Sequence, residues 1–117
     1  MDERERQLYI LQAQVCQILA DPSRLELLHL LGAGERTVGE LVTATGLRQA
    51  NVSQHLTLLR QRGIVTTRRA GTMVYYDLAY PEILKACAIT RNILIKQLEA
   101  TSALVAGSAL DATSGED

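Results

Sequence analysis

The stretch "RQANVSQHLTLLRQRGIV", residues 48 to 65, holds three arginines, one histidine and no carboxylate. Read at helical spacing, Val52, Leu56 and Leu59 form one apolar stripe, while Ala50, Ser53, Gln54, Thr57 and Gln61 lie on the far side. That far side suits base edges in a major groove. A glutamine amide pairs with adenine N6 and N7, a serine hydroxyl donates or accepts, and an alanine methyl meets a thymine methyl. Arg48 and Gln49 stand at the start of this helix, where the dipole-positive end favours an anion. Further on, Arg68 and Arg69 are placed to hold phosphate or reach a minor groove, with Thr72 close by. The chemistry indicated is binding to double-stranded DNA.

The charge map agrees with this reading. The whole chain of 117 residues has 12 basic and 13 acidic side chains, a net charge of −1. Between Leu41 and Tyr76, however, stand five arginines and no acid, so this stretch carries +5 and the remainder −6. A nearly neutral total thus conceals a basic surface able to neutralise phosphates. Enzyme chemistry finds little support: Ser53 and His55 lack an orienting acid and lie on a helix, not in a pocket. His55 flanks the apolar stripe and reads as a packed or backbone-bonded histidine. No cofactor is expected.

The elements that must position these residues are helices and one hairpin. With no Trp or Phe, the core is drawn from Leu, Ile, Val and Ala. Apolar residues at Leu8, Leu11, Val15, Ile18 and Leu19 predict a one-faced helix over 5–19. Asp21 as N-cap and Pro22 in the first helical position open a second, to about Leu31. Thr37 and Glu40 have capping-box spacing, which starts a short helix ended by Gly46. Thr37, at the entrance to the motif, is counted with the DNA-facing residues. The helix that bears the glutamines covers 49–62 and stops at Gly63. A hairpin follows, with arms 64–69 and 72–78 around Ala70-Gly71, and Pro81 starts a last helix. The order is that of a winged helix-turn-helix, mostly α with a β-hairpin wing. One domain over 1–100 is expected, with a small, polar, acidic tail over 101–117 that frays or is disordered. The N-terminus lacks a signal-peptide apolar core and no apolar run would span a bilayer, so a cytoplasmic protein with no membrane partner is expected.

The segments "LADPSRLELLHLL" (19–31), "TVGELVTATGLRQANVSQHLTLLRQRGIV" (37–65) and "RRAGTMVYYDL" (68–78) resemble the ArsR/SmtB family of bacterial repressors. The resemblance implies a homodimer, held by the first and last helices, that occupies an operator and leaves it when an inducer binds. It places the DNA-reading positions at Gln49, Ala50, Ser53 and Gln54. The chain departs from the family pattern at Arg48, where Ser or Thr is usual, and at Thr72, where a basic residue is usual. It also lacks the family's Cys-x-Cys ahead of the recognition helix and any histidine beyond residue 55. Neither common metal site carries over, and Cys16, Cys87, His29 and His55 alone offer few zinc ligands, so no metal is expected.

Two readings of Cys16 and Cys87 stand side by side. As small hydrophobes they fill an interface between helices. As facing thiols they sense an inducer such as an oxidant, a sulfur species or a metalloid, with Arg91 one turn from Cys87 favouring its thiolate. The alternatives to a thiol-sensing repressor are a winged-helix repressor without cysteine sensing, or a winged-helix module that binds protein or RNA.

Overall fold

The computed structural model describes residues 1–107, which fold as five helices and a two-stranded antiparallel sheet. Helix α1 spans Glu3–Leu19, α2 Pro22–Leu31, α3 Val38–Thr45 and α4 Gln49–Gln61. Strands β1 (Val65–Ala70) and β2 (Met73–Leu78) precede the long α5 (Ile83–Gly107). The chain divides into two compact units, Met1–Leu84 and the part from Lys85 onward.

Capping sets most of the helix starts. Asp2 and Glu5 form a capping box that begins α1 two residues earlier than its apolar period predicts, with the Glu5 N–H donating to Asp2 Oδ1 at 2.9 Å. Asp21 accepts from the Arg24 N–H at 3.1 Å, and Pro22 occupies the first turn of α2. At α3 the Thr37 hydroxyl accepts from the Glu40 N–H at 3.1 Å, while the Glu40 carboxylate accepts from the Thr37 N–H at 2.9 Å. Helix α4 begins without a side-chain cap, its N-cap being Arg48.

The core of the first unit lies where α2, α3, α4 and the hairpin meet. Leu27, Leu28, Leu31, Leu41, Val52, Leu56, Leu59 and Val65 are fully or almost fully buried, joined by Ile18, Ile64 and Leu78. The stripe expected on α4 is the stripe that is buried. Truncating any of these leucines to alanine leaves a cavity that costs about 2–5 kcal/mol. The hairpin is tied to the rest by Arg36 and Tyr76, whose backbones exchange two hydrogen bonds of 3.0 and 2.8 Å.

Two expected boundaries are corrected. The two-residue loop of the hairpin is Gly71-Thr72, not Ala70-Gly71, since Ala70 pairs with Met73 and Gly71 takes the left-handed φ of 63° that the first loop position requires. Helix α5 begins at Ile83, not Pro81. The N–H groups of Ile83 and Leu84 reach back three residues, to Tyr80 and Pro81, and so form a turn ahead of the helix. At its other end α5 runs to Gly107, beyond the domain boundary expected at residue 100, and the rest of that expected tail, 108–117, lies outside the described residues.

Candidate nucleic-acid interface

Helix α3, the turn at Gly46 and helix α4 form the helix-turn-helix, and burial of Val52, Leu56 and Leu59 fixes the rotation of α4 about its axis. With that stripe inward, Gln49, Ala50, Gln54, Thr57 and Gln61 are exposed and Ser53 is half-buried. The amides of Gln49 and Gln54 make no hydrogen bond among the described residues, so their donors and acceptors are available to a base edge. Arg48 is exposed beside them at the uncapped start of α4, where free backbone N–H groups add to its charge. The sequence-predicted residues of α4 therefore converge on one open face.

Thr37 sits apart from that face in role. It is buried to 8% exposure and its hydroxyl is committed to the cap of α3, so it orients the motif from behind.

On the wing, Arg68 and Arg69 point to opposite faces of β1, as neighbours in a strand must. Arg69 and Thr72 are exposed, and Arg69 has no ion pair among the described residues. Arg68 is engaged. Its guanidinium lies 4.7 Å from the centroid of the Tyr75 ring and grips both carboxylate oxygens of Glu35, with Nε donating to Oε2 at 3.1 Å and Nη2 to Oε1. The bonded guanidinium holds the Glu35 carboxyl below its ordinary pKa, and Glu35 in turn raises that of Arg68. Sequence reading missed Glu35 because the basic stretch was measured from Leu41 onward, and no spacing rule links a loop acid to a strand 33 positions away.

His55 is half-buried and packed, as expected, but its ring partner is a side chain: Nδ1 lies 3.4 Å from Arg24 Nη1. Arg24 also donates from Nε to the Ile18 carbonyl at 2.6 Å, which ties α2 to the end of α1. Cys16 is exposed on α1 in the first unit, and Cys87 is partly buried on α5 in the second. Burial pushes the Cys87 thiol pKa up, which corrects the expectation that Arg91 would favour its thiolate. Among the described residues no group of three His, Cys, Asp or Glu side chains is placed to hold a metal ion, and no helix is long and apolar enough to cross a membrane.

A small-residue, amide-bearing second helix on an open face, followed by a basic hairpin, defines a DNA-binding winged helix-turn-helix. Comparison with known proteins refines that class. Residues 21–67 match the family model described as bacterial regulatory protein, arsR family. The uncharacterized HTH-type transcriptional regulator Rv0081 of Mycobacterium tuberculosis is 40% identical over 92 residues, spanning 78% of this chain and 81% of that protein. Its crystal structure superposes with a TM-score of 0.73 at 38% identity, covering 81% of this chain and 96% of that one. The solution structure of the homodimeric winged helix-turn-helix DNA-binding domain Mb0332 from Mycobacterium bovis gives a TM-score of 0.73 at 34% identity, over 86% and 93% of the two chains. The arsenical resistance operon repressor of Escherichia coli K12 is 40% identical over 72 residues, 61% of this chain and 62% of that protein. The chain belongs to the ArsR family of bacterial regulatory proteins. It is a DNA-binding transcriptional regulator and not an enzyme.

Proposed function

We propose that the protein is a homodimeric repressor that occupies an inverted-repeat operator in the cytoplasm and leaves it on binding a small inducer. The observation that carries the base-reading half is the open face of α4, where the Gln49 and Gln54 amides have no partner of their own. Gln49, Ala50, Ser53, Gln54 and Thr57 are the base-facing set, and Arg48, Arg69 and Thr72 the backbone-facing one. Two-fold symmetry predicts half-sites centred about 34–36 Å apart, or a multiple of that. Gel-shift titration at several salt concentrations is the test. Gln49→Ala or Gln54→Ala should cost about 1–3 kcal/mol for operator and leave non-specific binding alone, whereas Arg69→Ala should weaken all sequences alike. Equal affinity for operator and scrambled DNA would defeat the reading in favour of a winged-helix module for RNA or protein.

For the release signal, thiol chemistry at Cys16 and Cys87 is supported by the exposure of Cys16, which an oxidant, a sulfur species or a metalloid can reach from solvent. Burial raises the Cys87 pKa, which disfavours its thiolate. Mass spectrometry after peroxide, polysulfide or arsenite treatment, run beside operator binding for wild type, Cys16→Ser and Cys87→Ser, tests this. Modification that leaves operator affinity unchanged would reduce both cysteines to packing.

A further inference from the structure

Beside the base-reading face of α4, within the first unit, lies a groove of about 480 Å³. It is lined by Gln14, Gln17 and Ile18 of α1, Arg24 of α2, Leu58 of α4 and Arg62, the C-cap residue of α4. Its chemistry is one-signed: two guanidinium groups, two carboxamides and two aliphatic side chains, with no carboxylate among them. Arg62 makes no ion pair or side-chain hydrogen bond among the described residues. Arg24 spends donors on the Ile18 carbonyl and on His55, yet a guanidinium has five N–H groups, so several remain. Asp21 lies within electrostatic reach of Arg24 but forms no ion pair with it. A pocket of this size matches a small ligand, and forked guanidinium donors backed by amides match a carboxylate or phosphate group.

We propose that this groove binds a small organic or inorganic oxyanion, and that its occupancy lowers operator affinity. A duplex phosphate would be the other occupant of such a charge. The aliphatic Ile18 and Leu58 suit a compact molecule that can also bury apolar surface better than a duplex phosphate, and Leu58 and the C-cap residue Arg62 lie at the flank of α4, off the face that bears Ala50, Ser53, Gln54 and Thr57. Coupling follows from position. The groove joins α2 to α4 through Arg24 and Arg62, and Arg24 also touches His55 of α4, so an anion bridging the two guanidiniums bears directly on the recognition helix. It also cancels positive charge beside the DNA-facing surface, which weakens attraction to a polyanion. The anion site stands independently of the proposed operator, and only the coupling rests on it.

The test uses the full chain, titrated with inorganic phosphate, succinate and 3-phosphoglycerate at constant ionic strength, with the arginine Nε–H signals followed by NMR. At least one probe should produce saturable shifts at Arg24 and Arg62. Arg62→Gln, and Gln17→Glu, which puts a carboxylate into the groove, should each weaken that probe at least about tenfold while the backbone spectrum stays folded. The same probe should lower operator affinity about fivefold or more in wild type and leave Arg62→Gln unaffected. Three outcomes overturn the proposal: no saturation by any probe below about 10 mM, saturation indifferent to both variants, or operator affinity unmoved by a bound probe. If Arg62→Gln instead weakens DNA binding in anion-free buffer as strongly as Arg69→Ala does, the groove arginines are duplex phosphate contacts and the small-molecule site is refuted.

Discussion

Glu35 presents to Arg68 the same two-oxygen face that a DNA phosphate would, and the guanidinium fork is filled before DNA arrives. Both side chains are solvent-exposed, so the pair is screened and contributes little to stability. Its effect falls on binding. Glu35→Gln should leave thermal stability nearly unchanged, raise affinity for all DNA sequences, and steepen the dependence of log K on log salt by about 0.9, the increment of one further phosphate contact. Filter binding at graded salt checks this, and a weaker Glu35→Gln would mean that Glu35 aims Arg68 at the DNA instead of withholding it. The pH window follows from the direction of the shift. Because the Glu35 carboxyl titrates below its ordinary value, the contact is intact throughout neutral pH and opens only in acid below the usual carboxylate range. Between pH 6 and 8, roughly, this pair should give the DNA affinity no pH dependence.

Among the elements, those whose partner lies within the first unit were the most legible. Val52, Leu56 and Leu59 gave both the existence of α4 and its rotation, since a core stripe and the face opposite it are two halves of one statement. The caps at Asp21 and Thr37 were equally readable, whereas the Asp2–Glu5 box was not, because the apolar period of α1 starts only after it. Asp21 holds the start of α2 by accepting from the Arg24 N–H, and that bond is the main cause of its lowered pKa. Asp21→Ala should therefore cost about 1 kcal/mol by urea denaturation. The Asp21 carboxyl contributes stability that is present above its unfolded pKa and lost as pH falls through the lower folded one, so Asp21→Asn should flatten the acid limb of the stability curve. An unchanged acid limb would place its cause elsewhere. Other features were less legible for stated reasons. The glycine at position 71 announces a turn without saying which neighbour pairs, and Pro81 suits a helix start as well as the turn that it makes before Ile83. The Glu35–Arg68 contact and the groove at Arg24 and Arg62 join distant segments that no local period connects.

At the scale of the whole molecule, the apolar stripe of α1 was readable as a helix signal but its partner was not, because most of it is uncovered in the single chain. Leu8 is 66% exposed, and Tyr9, Ile10 and Leu11 are open beside it, with Ile18 the one buried residue of the helix. On α5, Ile89, Ile93, Leu94, Ile95 and Leu98 are all exposed. A monomer rarely leaves contiguous apolar patches beyond a few hundred Å², and a stable interface takes up roughly 800 Å² per partner. A second copy of the chain is the occupant proposed above, and its consequence for DNA is arithmetic. Two recognition helices tied together make the second half-site encounter intramolecular, so that affinity for an operator exceeds that for one half-site by about 10²–10⁴. Ile93→Glu places a charge in the middle of the exposed α5 face and alters no residue of the DNA-facing set. It should convert a dimer into a monomer in sedimentation runs at micromolar protein, remove most of that excess, and leave the affinity for an isolated half-site within about twofold of wild type. Circular dichroism should still report the helices, since the core around Leu27, Leu56 and Leu59 lies wholly in the first unit. A wild-type monomer that holds the complete operator with full affinity would refute the dimer, and an Ile93→Glu dimer of unchanged affinity would move the interface off α5.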